Sequence, residues 1–371
     1  MKKIFNTISI ILICASGLRA QLTFPPDGGN KKALIGERIG ITDVAISYSR
    51  PAVKGREGKI WGQLVHYGYK YLDFGTSKEA PWRAGANECT TISFSTDVTV
   101  EGKTLPAGKY GLFMAVQEND ITLIFSKNSE AWGSFFYTPK EDVLRVNVKQ
   151  LKNQPMVERL SFDFSEQTDS SAVVALLWEH WKIPFKITVN VKETVIASLR
   201  RELQGEKGFS WFAFVEAANY CLQNNTNLEE GLSWAESAIT ENYIGQANFT
   251  TLRTKANLLK KLGRTPESES TMKEALAKGT FAEVNQFGQR LLAQKKTAEA
   301  LDVFRFNATK NPKEFQALTG LAKAYSVNGD LKSAGKYIKL AAAEAQTPED
   351  KEKADKMAKM LAEGKSLPIE M

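Results

Sequence analysis

Histidine is nearly absent from this 371-residue chain, which has only His66 and His180. A histidine-rich metal centre is therefore excluded. Cysteine is almost as scarce. Cys14 lies in the N-terminal leader described below, leaving Cys89 and Cys221, one in each half and without a CxxC spacing. Two free, buried thiols are expected in place of a disulfide framework. No GxSxG, HExxH, Walker loop or GxGxxG occurs, which points away from the common enzyme classes and leaves no cofactor to assign. The formal charge is +7, yet lysines alternate with acids along most helical segments, as on an ordinary solvated face. With no basic stripe interleaved with aromatics, nucleic-acid binding is not expected. Long apolar runs are missing too, so no segment is expected to cross a bilayer.

What is present begins with an export signal. Lys2 and Lys3 form a positive start, Ile8 to Ala15 a short apolar stretch, and Leu18-Arg19-Ala20 a cleavage site before Gln21. Ile13 before Cys14 is too bulky for a lipid-attachment motif. The expectation is a periplasmic or secreted protein whose mature chain starts at residue 21. At roughly 150 residues per domain, the length suggests two or three domains.

From Val44 to Val191 the apolar residues recur at period two. Val44, Ile46 and Tyr48 share one face, as do Tyr110, Leu112, Met114 and Val116, and then Phe185, Ile187, Val189 and Val191. About eight or nine short strands separated by turn signals, with no helices between them, predict an antiparallel β-sandwich over residues 21–191. Leu105-Pro106-Ala107-Gly108-Lys109-Tyr110 has the form of a tyrosine corner, in which the phenol reaches back to upstream backbone.

Six ordered segments carry a family resemblance: Tyr48 to Arg56, Trp82 to Thr90, Leu105 to Phe113, Trp132-Gly133, Asp142 to Arg145 and Trp178-Glu179. Over roughly residues 24 to 190 the chain resembles the DUF2911 family, a domain of unknown function common in exported bacterial proteins. The resemblance implies a secreted β-rich domain and supplies no activity, cofactor or catalytic residue. Two departures stand out. His66 replaces the family's proline in Val65-His66-Tyr67-Gly68, and the extra residues Tyr69 to Pro81 precede Trp82.

The candidate binding residues are Arg50, Lys54, Arg56, Trp82, Arg83, Asn87 and Glu88. The cations sit beside Gly or Pro turns that can aim a side chain, and Trp61, Trp82 and Trp132 offer flat apolar faces. Guanidinium forks grip carboxylate or phosphate and an indole stacks on a sugar ring, so the set suits a glycan or an anionic small molecule. The same residues also suit loop bracing and core filling. His66, or a carboxylate pair among Asp97, Asp142, Asp163 and Glu179, would serve the alternative reading, a carbohydrate-active hydrolase or lyase. No residue is assigned as catalytic or as a metal ligand.

Beyond Val191 the period becomes 3.6. Aligned at Trp211, Phe249, Phe281 and Phe315, the segments share small residues at Ala218, Ala256, Gly288 and Ala322, and turns at Asn225, Gly263, Lys295 and Gly329. The 34-residue step from Phe281 to Phe315 resembles tetratricopeptide repeats. Residues 192–210 read as a linker helix and residues 211–371 as an all-α helix–turn–helix solenoid. Its concave face is suited to a protein or peptide partner. Lys351 to Met371 reads as a capping helix followed by a frayed tail. The leading expectation is a non-enzymatic exported binding or scaffold protein.

Overall fold

The computed structural model describes residues 29–368; the leader expected at residues 1–20 lies outside them. The chain divides into two compact units, one ending at Asn190 and the other starting at Val191.

The first unit holds eleven strands: β1 (Lys31–Ile39), β2 (Thr42–Arg50), β3 (Thr90–Phe94), β4 (Val98–Val100), β5 (Lys103–Leu105), β6 (Gly108–Val116), β7 (Ile121–Ser126), β8 (Asp142–Val148), β9 (Val157–Ser165), β10 (Ser171–Glu179) and β11 (Trp181–Thr188). They form a six-stranded sheet in the order β1-β2-β3-β6-β7-β8 and a five-stranded sheet in the order β5-β4-β11-β10-β9. Every ladder is antiparallel. The expected sandwich is present, with more strands than the alternation indicated. The strands missed are β1 and the three-residue β5, and β3 and β4 read as one run. Strand β1 is an edge strand whose residues Lys31, Lys32, Glu37 and Arg38 leave little apolar period to read.

Alternation explains the core. Ile46 of β2, Ile92 of β3 and Leu112 of β6 are fully buried, and so are Leu176 of β10 and Ile183 of β11. Each such side chain stabilises the fold by roughly 1.5–3 kcal/mol. Tyr110 Oη donates to the Pro106 carbonyl at 2.8 Å, as the corner motif requires. Strand β6 departs from simple alternation, being buried on both faces from Tyr110 to Val116. Its second face carries Phe113 and Ala115, which pack with Cys89, Ile124, Ala131 and Tyr137 into a separate small core. The segment between β7 and β8 thus folds back over the sheet, and that segment shapes the candidate site below.

Four tryptophans organise one end of this unit. Trp61 stacks on Trp181 with ring centroids 4.4 Å apart, Trp82 lies nearly parallel to Trp178 at 6.1 Å, and Trp61 meets Trp82 edge-on at 5.7 Å.

The second unit contains α1 (Val191–Leu203), α2 (Trp211–Asn224), α3 (Leu228–Thr240), α4 (Phe249–Lys261), α5 (Thr265–Lys278), α6 (Phe281–Ala293), α7 (Thr297–Lys310), α8 (Phe315–Val327), α9 (Leu331–Glu344) and α10 (Pro348–Ala362). Helices α2 to α9 form four successive hairpins, starting at the four aromatic residues that align the repeats. Capping boxes at Asn248 and Thr280 fix the starts of α4 and α6 by satisfying backbone N–H groups that have no partner within the helix. Residues 192–210 contain α1 and a short 3-10 turn, Glu206–Phe209. Helix α1 is tied to α3 by a bidentate pair, Arg200 to Glu230, at 2.6 and 2.7 Å.

The small residues of the repeat act as seats. The buried Phe304 ring of α7 would lie 2.7 Å from a Cβ on Gly288 and 2.5 Å from one on Gly320, so only glycine lets α6 and α8 close around it. The tail differs from expectation. Leu367 is 2% exposed and its N–H donates to Ser326 Oγ at 2.8 Å. The segment after α10 is therefore docked at least that far, because a buried leucine outweighs the entropy of a loose end.

All four hairpin turns enter the left-handed backbone region, and at Lys295 the φ is +61° without glycine. A side chain in that region costs roughly 1 kcal/mol or more. Lys295→Gly should therefore stabilise the helical unit by about 0.5–1 kcal/mol, read as a higher urea midpoint at unchanged slope. A lower midpoint would show that the lysine side chain contributes more than its backbone costs.

Candidate functional site

The seven residues singled out above fall into two groups. Arg50 and the Lys54 backbone fasten the exit of β2 to β9, and Arg56 braces the loop between them. Arg50 Nε donates to the Leu160 carbonyl at 2.8 Å, and the Lys54 N–H donates to Glu158 Oε1 at 3.1 Å. Arg56 folds onto its own loop, donating to the Val53 and Ala52 carbonyls at 2.9 and 2.7 Å.

The second group is Trp82, Arg83, Asn87 and Glu88. Trp82 belongs to the tryptophan cluster and donates from Nε1 to the Gly85 carbonyl at 3.1 Å. Its backbone pairs with Met114 in both directions, at 2.9 and 2.7 Å. Asn87, at a left-handed φ of +60°, accepts from Asn30 Nδ2 on its side-chain oxygen at 3.2 Å. Its carbonyl accepts from the Gly133 N–H at 3.0 Å. Glu88 forms a bridge with Trp132, pairs with Lys32 Nζ at 3.3 Å and accepts weakly from Ser49 Oγ at 3.4 Å. Its own backbone N–H and Lys32 hold the carboxyl below the usual range. The structure therefore brings Arg83, Asn87 and Glu88 together around the turn that begins Trp132-Gly133, and leaves Arg50 and Lys54 as ties to β9 and Arg56 as a brace of its own loop.

That turn is anchored at its far end. Tyr137 Oη donates to Asp142 Oδ2 at 2.7 Å, and Arg145 Nη2 donates to Tyr137 Oη at 2.9 Å. Burial, then Asp142, push the phenol well above its ordinary pKa. Between these anchors Trp132 is 61% exposed, and Phe74 from the extra loop is 64% exposed. Phe74 packs edge-on against Phe135 at 5.3 Å and Phe136 at 5.9 Å.

Arg83 is half-buried beside Gly133, and burial alone lowers its pKa. Its Nε has no hydrogen-bond partner, and among the described residues no carboxylate pairs with it. Ser77 and Ser134, each 2% exposed, have hydroxyls without partners. Neither serine was singled out from the sequence, because an isolated serine carries no spacing signal.

A separate groove of about 340 Å³ lies on the six-stranded sheet beside Glu88. Ser47, Ser49, Thr91 and Ser93 contribute hydroxyls, and Lys32 and Lys109 add charge.

Three of the four carboxylates considered for glycoside cleavage are used structurally, and the fourth, Asp163, is exposed on β9. Asp97 accepts from the Ala107 N–H at 2.8 Å and Glu179 from the Gly58 N–H at 2.6 Å, while Asp142 holds Tyr137. Cys89 and Cys221 are free and buried. Burial raises both thiols, Cys221 to about 11 with help from Glu230. Among the described residues no group of three or more His, Cys, Asp or Glu side chains is placed to hold a metal, and no helix is long and apolar enough to cross a membrane.

Residues 30–187 match the DUF2911 family model, described as a protein of unknown function. The matched segment covers the sandwich and every residue of the Arg83 cluster. No curated protein matches the chain. Among solved structures, a search finds YrrB, described as a TPR protein with an unusual peptide-binding site. It is 18% identical, with 45% of this chain and 84% of that chain covered and a TM-score of 0.25. MamA of Desulfovibrio magneticus RS-1 is 18% identical over 43% of this chain and 95% of its own, with a TM-score of 0.23. The Pseudomonas aeruginosa pilF protein is 16% identical over 43% of this chain and 78% of its own, with a TM-score of 0.24. The TPR-like character of the second unit stands instead on its own four hairpins and repeat spacing.

In that unit a groove of about 190 Å³ is lined by Asn285 and Gln289 of α6, Thr319 and Lys323 of α8, and Asp350 and Lys353 of α10. Asn285 is 8% exposed and its Oδ1 has no partner. Asn285 and Thr319 occupy the same position in their hairpins, the fifth residue of the first helix, as does Arg253 of α4. Arg253 lies over Phe249 and Phe287, at 5.6 and 5.5 Å from the ring centres. This polar column was readable from the repeat alignment, which here was used only for its small and apolar positions.

The two histidines are oppositely set. His180 Nε2 lies 2.7 Å from Glu57 Oε1 and Nδ1 lies 2.8 Å from the Gln154 carbonyl. Both nitrogens face acceptors, which favours the imidazolium, and Glu57 chiefly raises its pKa above the ordinary 6.5. Burial lowers that of His66 below 6.5. A proton NMR titration should resolve one imidazole above and one below that value. Stability contributed by His180 should be present below pH 6.5 and fade as pH rises through its raised pKa. At His66 stability should instead be lost as pH falls from 6.5 through its lowered pKa. His180→Gln should abolish only the first effect; coincident titration of the two rings would contradict both assignments.

Proposed function

We propose that this protein is an exported, non-enzymatic binding scaffold: the helical array holds a segment of a partner protein, and the DUF2911 domain holds a small ligand or glycan. The observation that carries the first part is the Asn285 carbonyl oxygen, buried beside an open groove without a donor. Leaving such an acceptor unmade costs roughly 1–3 kcal/mol, and the N–H of an extended peptide laid along α6 and α8 would supply it. Gln289 and Thr319 line the same groove and offer further polar partners to peptide backbone, while the repeat stacking gives the stiff surface on which such a segment can lie.

Peptides selected against the full chain from a random displayed library test this reading. Thr319→Trp, which fills the groove, and Asn285→Ala should each weaken the selected peptides about tenfold or more, with circular dichroism unchanged. Selected peptides indifferent to both substitutions would refute the groove as the binding surface.

Export rests on the leader, with its Lys2-Lys3 start, short apolar stretch and Leu18-Arg19-Ala20 cleavage site. The destination proposed is the periplasm or the exterior. Mass spectrometry of the chain expressed with its own leader in a bacterial host should find the mature N-terminus at Gln21 in the exported fraction. Retention of the full 371-residue chain in the cytoplasm would reject this.

A further inference from the structure

We propose that the DUF2911 domain of this chain binds an acidic sugar, with Arg83 pairing the oxyanion and Trp132 stacking beneath the ring. The proposal deepens the reading of the sandwich as a ligand-holding unit and is independent of the role given to the helical array.

Three donors without acceptors lie on or against one short turn. Arg83 packs against Gly133, whose Cβ, if present, would lie 3.6 Å from Arg83 Nη1 and 2.9 Å from the Phe135 ring. Gly133, at φ +69°, is therefore needed for the turn and for the close approach of the Phe135 ring, while the guanidinium lies at ordinary contact distance. Ser134 follows directly, and its buried hydroxyl has no partner. Ser77 is fixed to the same turn by its N–H, which donates to the Phe135 carbonyl at 2.9 Å, and its buried hydroxyl is also without a partner.

Native folds rarely leave one such group unmet, and three around a single turn call for an acceptor from outside the chain. A guanidinium removed from water without a counter-charge is costly, and burial is the only influence acting on its ionisation. An oxyanion supplies the counter-charge that Arg83 lacks, and a carboxylate or sulfate has acceptors to spare for the neighbouring Ser134 hydroxyl.

The remaining chemistry points to a ring attached to that anion. Trp132, adjacent to Gly133, presents an exposed indole in a bridge with Glu88. Such a flat face suits the apolar side of a pyranose, and the Glu88 carboxylate can accept from sugar hydroxyls. Ser77 belongs to the segment that covers the turn, so binding displaces part of that segment.

Isothermal titration of the full chain with a glucuronate-terminated oligosaccharide, its sulfated counterpart, the neutral parent sugar and inorganic phosphate tests the proposal. The acidic sugars should bind at least tenfold tighter than the neutral one. Trp132→Ala and Arg83→Met should each weaken them tenfold or more, while Arg38→Gln, at an exposed pair elsewhere, should leave them unchanged. A thermal melt separates binding from bracing. Arg83→Met removes an unpaired buried charge, so it should raise or preserve the melting temperature of the free protein, whereas a structural arginine would lower it. Neutral sugar binding equally well, phosphate binding as tightly as the acidic sugars, no acidic sugar binding, or a lowered melting temperature with binding intact would each overturn the proposal. None of these outcomes bears on peptide binding by the helical array.

Discussion

The candidate site of the sandwich depends on the immobilisation of Trp82. Its indole is held between Trp61 and Trp178, its Nε1 is satisfied by the Gly85 carbonyl, and its backbone is hydrogen-bonded to Met114 on both sides. With that residue committed to the interior, the next in the chain has no place there, and Arg83 is turned toward Gly133. An arginine on a free loop would find water or a surface acid. Here the rigidity of four packed indoles keeps a guanidinium half-buried beside a turn that gives it nothing to bond. Preorganisation of this kind lets a charged group stay ready at the expense of stability in the empty state.

The second unit uses small residues for the same end. Gly288 and Gly320 let the Phe304 ring sit between α6 and α8, and this close approach lines up Asn285 and Thr319 beside one groove. Side chains at equivalent repeat positions become neighbours only when helices pack at nearly constant spacing.

How far the sequence reached follows from which signals are periodic. The starts of α2, α4, α6 and α8 fall on Trp211, Phe249, Phe281 and Phe315 because aromatic residues recur wherever a hairpin must open against its neighbour. The tyrosine corner was readable because its geometry needs Gly108 and Tyr110 at a fixed offset. Strand β1 was missed for the opposite reason: an edge strand rich in Lys, Glu and Arg has no buried face to repeat. The docking of Leu367 was equally invisible, since one leucine after a charged helix looks like a tail until Ser326 is seen beneath it. At the site, the run from Trp82 to Glu88 drew attention through residue type, yet Ser77 and Ser134 did not. Their importance lies in missing acceptors, a property of three-dimensional surroundings that no spacing encodes. Arg50 and Arg56 show the reverse: their residue type suggested ligand contact, and their hydrogen bonds go to backbone carbonyls of the loop and of β9.

The two thiols carry a last consequence. Each is enclosed by its own core, and burial keeps each protonated at neutral pH. Because exchange needs the thiolate, neither sulfur is a ready nucleophile toward oxidants or toward another chain's cystine. Among the described residues the fold is thus held together without a cystine. Its persistence depends on the indoles and the seated phenylalanine, and a reductant should leave it untouched.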